Sequence, residues 1–346
     1  MAAAFERNFT ERGELGAAFA AYRDGVLVVD LWGGVADSTS GRPWQSHTLA
    51  PILSGTKGLV ATCLLVLIER RALHLEAPVA RYWPEFAAHG KETVLVRHVV
   101  SHTAGLPGIR RRTVTPDHLL DHELMAALLA DEAPVWDPGT VLSYHPLTYG
   151  WLCGELVRRI DGRTVGAFFA DELAAPLELD AWIGLPVAHE EDVARLELEP
   201  DWGRTSQTDP DRFRADRVNA ATWGNPPILI RDGFDWNSLA LHGAGMPGAG
   251  GVAHARSMAR LYGCLARHGE LDGVRVLSPE TIAGATRPLA RGDDPLTGDP
   301  HVYATGFELQ TDALPLGPAT DGFGHGGAGA LCTAPGRAGA WASPTS

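Results

Sequence analysis

Cysteine is scarce in this chain, with Cys63, Cys153, Cys264 and Cys332 the only four in 346 residues and no Cys-x-x-Cys pair among them. Cys63 lies in an apolar run and Cys153 in a Trp-Leu-Cys-Gly context, so they read as buried free thiols of a reducing compartment. Basic residues are also short: 29 Lys and Arg face 42 Asp and Glu, a formal charge of −13. That balance argues against nucleic acid and anionic lipid surfaces as partners. Residues 1–16 mix charges of both signs and hold no long apolar core, so no secretory signal is read there. The longest apolar run, Gly58–Ile68, is about half the length that spans a bilayer. Together these absences predict a soluble cytoplasmic protein with no membrane partner. Gly-x-Ser-x-Gly is missing too, which removes the α/β-hydrolase route to a serine enzyme.

What is present is globular: 45% hydrophobic and 21% charged residues, in a chain long enough for two domains or one large one. Two apolar runs, Gly16–Tyr22 and Val26–Trp32, flank Arg23-Asp24-Gly25, a hairpin signal. From Leu73 to about 230 the pattern is mainly helical, clearest at Leu119–Ala130 and Leu147–Ile160. Residues 200–226 read as a long polar surface excursion, Ala253–His268 as a further helix, and Val302–Gln310 as one strand. Strands at both ends predict an α+β protein. One sheet subdomain takes residues 1–72 and 231–330, a mainly helical one 73–230, and the site lies in the cleft between them.

Ser54-Gly55-Thr56-Lys57 opens the Gly58–Ile68 run, which reads as a helix buried nearly all round. Residues three apart on a helix share a face, so Lys57 reaches back over Ser54. A serine hydroxyl needs a neighbouring base, and a lysine held away from water is pushed toward the neutral form that can act as one. The free N–H groups at the helix start favour a developing anion. Two later segments join this chemistry. Leu142–Leu147 presents Tyr144 from a loop, and Phe323–Gly329 is glycine-rich, fit to aim N–H groups at an oxyanion.

Ser54-x-x-Lys57, Tyr144 and His325-Gly326-Gly327 stand in the order and rough spacing of the serine β-lactamase and penicillin-binding-protein superfamily, which the chain resembles from about residue 12 to about 330. Its surroundings are more similar to the class C-related esterases, family VIII. The matching stretches are Tyr22–Gly25, Asp30–Gly34, Ser54–Gly58, Val100–Pro107, Trp136–Gly139, Gly248–Gly251 and Phe323–Gly327. The resemblance implies a mainly antiparallel sheet flanked by helices, with no cofactor and no metal. It implies Ser54 as acylated nucleophile, Lys57 and Tyr144 as general base and acid in unassigned order, and His325, Gly326, Gly327 and Ala328 at the oxyanion and substrate side. The Ala328 and Ser54 N–H groups would form the oxyanion hole. The implied partner is a small ester.

Departures from the pattern sharpen that expectation. Pro146 stands where lactamases carry an asparagine, and His325 where they carry a lysine. Losing that amide and that fixed cation favours neutral esters over β-lactam acids. After Ala330 the strand pattern stops, and Leu331–Ser346, rich in small residues and proline, is expected to leave the sheet incomplete. A catalytically impaired homologue, or a lactamase-like or D-amino-acid-peptidase-like acyl transferase, are therefore the alternatives.

Three rival motifs read as structural. Gly243–Gly248 fits Gly-x-Gly-x-x-Gly without a surrounding βαβ unit. His118 and His122 lack a further ligand signal, and His102 reads as a hydrogen-bonding residue at a helix end. Trp236 is a candidate wall of the acyl pocket, with ordinary burial an equal reading.

Overall fold

The computed structural model describes residues 1–197, 217–226, 234–296, 298–312, 315–317, 320–327, 330–334 and 340–343, the last two segments through their backbone. Most of the 200–226 excursion lies outside the described residues, although the helix Arg217–Trp223 ends it.

Asp24 and Gly25 both take positive φ, the geometry a two-residue hairpin turn needs, and join β1 (Gly16–Arg23) to β2 (Val26–Asp37). The other strands are β3 (Arg42–Pro43), β4 (Ala50–Leu53), β5 (Ala181–Ile183), β6 (Gly251–Ala253), β7 (Glu270–Leu271), β8 (Val274–Arg275) and β9 (Ala290–Asp293). They continue with β10 (Pro300–Tyr303), β11 (Glu308–Leu309), β12 (Phe323–Gly327), β13 (Ala330–Ala334) and β14 (Ala340–Ser343). A nine-stranded sheet runs β3-β2-β1-β14-β13-β12-β11-β10-β9 with every described pairing antiparallel. A small sheet, β4-β6-β5, and the hairpin β7-β8 stand apart from it.

Two expectations are corrected here. The chain after Ala330 does complete the sheet: β13 pairs with β12 at His325↔Cys332, and β14 bridges β13 and β1 at Ala20↔Ala342. The reason is that the ladder is made of main-chain N–H and C=O groups. A gap between two unpaired strand edges can recruit segments whose side chains carry little strand pattern. The second correction is Val302–Gln310, which forms two strands. Gly306, at φ 77°, turns the chain between β10 and β11, and the Ala304 N–H closes on the Phe307 carbonyl at 2.8 Å.

The helix Thr56–Glu69 is the centre of the molecule, buried from Thr56 to Leu67 and packed between β12 and the helix Thr148–Asp161. A helix apolar on every side can only be stable with neighbours all round it. The helix Ala255–Ala266 crosses β1, β13 and β14 with Met258, Ala259, Leu261 and Leu265 buried. Lys91 is fully buried and donates to the main-chain oxygens of Ala88 (2.7 Å), Ala130 (2.9 Å) and Glu132. It thereby satisfies carbonyls left open at the end of the helix His122–Ala130.

Candidate active site

Ser54 sits between β4 and the central helix, on a turn held under strain. Leu53, just before it, has φ 44°, a left-handed conformation that a branched side chain rarely adopts. The turn is held from outside. The Thr56 hydroxyl donates to the Leu53 carbonyl at 2.5 Å and accepts the Gly251 N–H of β6 at 2.8 Å. A Cβ at position 251 would lie 2.6 Å from that hydroxyl, so a glycine is needed for β6 to come this close.

One helical turn on, Lys57 is wholly buried, its Nζ 3.0 Å from Ser54 Oγ and donating to the Gly248 carbonyl at 2.8 Å. Neither partner is a carboxylate, so burial dominates and holds the amine well below its ordinary value of 10.5. The Tyr144 hydroxyl reaches the same oxygen, donating to Ser54 Oγ at 2.9 Å. Burial pushes this phenol above its ordinary value, and the Ser54 hydrogen bond only partly opposes that. One serine oxygen thus lies between an amine biased toward neutrality and a phenol biased toward keeping its proton.

The Tyr144 loop is tied down residue by residue. The Ser143 N–H donates to the His102 carbonyl at 3.0 Å, the Tyr144 N–H to Asp294 Oδ2 at 2.5 Å, and the His145 N–H to His102 Nδ1 at 3.1 Å. His145 Nδ1 donates to the Ser143 carbonyl (2.6 Å) and its Nε2 accepts the Leu106 N–H (3.1 Å), a pairing that requires the neutral ring. Burial pulls the His145 pKa down to about 4, in keeping with that assignment.

His325 is buried on β12, its Nδ1 donating to the Gly326 carbonyl at 2.8 Å and its Nε2 left without a partner among the described residues. Burial brings its pKa down to about 3. The ring is a neutral acceptor 6.0 Å from the Tyr144 ring. Gly327 lets β12 lie against the Ser54 amide: a Cβ there would fall 2.3 Å from the Ile52 carbonyl oxygen and 3.2 Å from Ser54 N. The fold therefore brings Ser54, Lys57, Tyr144, His325, Gly326 and Gly327 together. Ala328 lies outside the described residues.

Four participants went unread in the sequence: the Gly248 carbonyl, Thr56, the His145 ring and Asp294. The 248–251 stretch stands among the matching motifs, but nothing in it marks the Gly248 carbonyl as a partner of Lys57. Nothing in the Gly292-Asp-Asp-Pro295 turn marks Asp294 as a partner of a tyrosine 150 residues earlier. The rival motifs have other roles. The 243–248 loop delivers Gly248 to Lys57. His122 joins Arg158 and Arg159 around buried Glu155, its Nε2 3.3 Å from the carboxylate. Among the described residues no group of three or more His, Cys, Asp or Glu is placed to hold a metal ion. Trp236 is buried edge-to-face on Phe234.

A mainly antiparallel sheet flanked by helices, with Ser-x-x-Lys at the head of a buried central helix, is the β-lactamase and penicillin-binding-protein-like fold. The chain belongs to the Beta-lactamase family, whose model matches residues 2–344. It is 37% identical over 344 residues to "Esterase/beta-lactamase LipL" of Mycobacterium tuberculosis (strain ATCC 25618 / H37Rv), covering 94% of this chain and 75% of that protein. A solved family VIII carboxylesterase superposes with a TM-score of 0.88 at 36% identity, covering 99% of this chain and 90% of that one. A penicillin-binding protein homologue from Caulobacter crescentus gives 0.88 at 35% identity over the same shares. These names support a hydrolase.

Proposed function

We propose that this protein hydrolyses short-chain carboxylic esters through an acyl-enzyme on Ser54. The observation that carries this reading is the position of Ser54 Oγ, 3.0 Å from Lys57 Nζ and 2.9 Å from the Tyr144 hydroxyl. Lys57, held toward its neutral form, takes the Ser54 proton as Oγ bonds to the ester carbonyl carbon. The resulting oxyanion is met by the Ser54 N–H beside Gly327. The carbon–alkoxy bond then breaks as Tyr144 passes its proton to the departing alkoxide and regains one from protonated Lys57. Water next bonds to the acyl carbon while giving a proton to Lys57. The bond to Ser54 Oγ breaks as that proton returns to the serine, releasing the acid. Neutral His325 offers no cation to a substrate carboxylate, which favours uncharged esters.

The names of LipL and of the family VIII carboxylesterase support the same substrate class. The pairing of β13 and β14 into the sheet supports an active hydrolase over an impaired homologue. Buried free Cys63, Cys153 and Cys264 support a reducing, cytoplasmic setting. Among the described residues no helix is long and apolar enough to cross a membrane.

The test is an intact-mass experiment with a p-nitrophenyl alkylphosphonate. One phosphonyl group should add to the wild-type protein, map to Ser54 and be absent from Ser54→Ala. Equal labelling of that variant refutes the assignment.

A further inference from the structure

Asp294 follows β9 in a turn that closes on itself: its N–H donates to the Asp299 carbonyl at 2.9 Å and its carbonyl accepts the Gly298 N–H at 2.7 Å. The side chain is 1% exposed. Its Oδ2 accepts the Tyr144 N–H at 2.5 Å, while Oδ1 accepts the Leu296 N–H at 2.8 Å and, more weakly, the Ser143 hydroxyl at 3.4 Å. All three donors are neutral. Burying a carboxylate among neutral donors is costly, so the site has to gain something from keeping it.

The gain is visible in the Tyr144 loop. Of three consecutive N–H groups, the first and third are bound by His102, and only the middle one, that of Tyr144, is bound by a charge. A charge-assisted bond to a backbone amide is stronger and more directional than a neutral one. Its removal would leave the Tyr144 N–H without its acceptor and free the loop to relax. The phenol at the other end of that residue has to meet Ser54 within hydrogen-bond range.

We propose that Asp294 is the positioning residue for Tyr144, its carboxylate fixing where the tyrosine hydroxyl meets Ser54 Oγ. The proposal rests on the reading of Tyr144 as the proton donor of the ester reaction. Asp294 itself touches no reacting atom and acts only through the tyrosine it holds.

The test is a double-mutant cycle on p-nitrophenyl butyrate hydrolysis. Asp294→Asn should lower kcat by about 10- to 100-fold, the scale of a sub-ångström to 1 Å misplacement, with KM within about threefold. In a Tyr144→Phe background the same change should lower kcat by less than about twofold, because the hydroxyl to be placed is already gone. Asp294→Glu, which keeps the charge, serves in the same cycle if the amide variant does not fold. It should recover part of kcat in the wild-type background only. Equal losses in both backgrounds, or unchanged kcat in Asp294→Asn, overturn the proposal while leaving the ester reading standing. Wild-type turnover in Tyr144→Phe instead overturns the role of Tyr144, and the proposal with it.

Discussion

Lys57 carries its amine 4.9 Å from the centroid of the Tyr144 ring. The two groups that flank Ser54 therefore also face each other, and neither can change its charge without altering the other. Protonating Lys57 would place a cation against the electron-rich face of the ring. Ionising Tyr144 would favour protonated Lys57. Their titrations belong to the pair, and the resting combination that burial favours is neutral amine with neutral phenol.

It follows that ester hydrolysis has an acid limb set by Lys57. As pH falls through the depressed value of the buried amine, the base is protonated and kcat/KM should drop. The alkaline limb should lie above the ordinary range for tyrosine. Lys57→Arg, which cannot release a proton, should lose about 10³-fold or more in kcat. A pH–rate profile and single-turnover kinetics check both statements. An arginine variant with more than a tenth of wild-type activity would falsify the assignment of Lys57 as base.

Cephalosporins should be poor substrates. His325 is neutral and Pro146 offers no amide, so a β-lactam carboxylate meets neither a cation nor the usual side-chain hydrogen bonds. Nitrocefin and p-nitrophenyl butyrate, assayed side by side, should differ in kcat/KM by about 100-fold or more, roughly the worth of one lost charge-assisted contact. Comparable values would show that these two departures do not set specificity.

Acid should weaken the fold before the carboxylates titrate. His145 and His325 are held at about 4 and about 3, against an ordinary value of 6.5, because burial disfavours their charged forms. Below pH 6.5 the unfolded chain therefore binds more protons than the folded one, and stability declines as pH falls toward those depressed values. Between pH 6.5 and 4.5, thermal melts should show a fall in Tm that is shallower in His325→Gln. Identical slopes for the two proteins would count against a buried neutral His325.

Deleting residues 340–346 should be strongly destabilising. The deletion removes β14 and leaves β1 and β13 with open edges in the middle of the sheet. A loss of about 4 kcal/mol corresponds to a fall in Tm of about 5 °C in a domain this large, where each kcal/mol is worth only about 1–2 °C. Differential scanning fluorimetry measures it, and an unchanged melting point would mean that β14 contributes nothing to the fold.

The Ser54–Lys57 pair was legible because its geometry is local: a spacing of three along one helix fixes a face. The hairpin at Asp24-Gly25 was legible for the same reason. Tyr144 and His325 were reached through motif order, since no local rule places a loop tyrosine against a serine 90 residues earlier. Asp294 has neither advantage. Its partner is remote, and an Asp-Asp-Pro turn looks like any surface turn. The strands β13 and β14 were missed for a different reason. Pattern reading scores side chains, whereas a gap in a sheet is filled by backbone groups that every residue carries.

Lys57 and Lys91 are the only lysines in the sequence, and both are wholly buried, one against Ser54 and the other under three carbonyls. Apart from the Met1 α-amine, the surface draws its positive charge from arginine and histidine. Amine-directed chemistry on the native protein, whether acylation, glycation or aldehyde crosslinking, therefore finds no accessible side-chain target. Reactivity of either lysine toward an N-hydroxysuccinimide ester should appear only on unfolding. Labelling mapped to these two lysines, as distinct from the exposed Met1 α-amine, then reports opening of this molecule without any engineered probe.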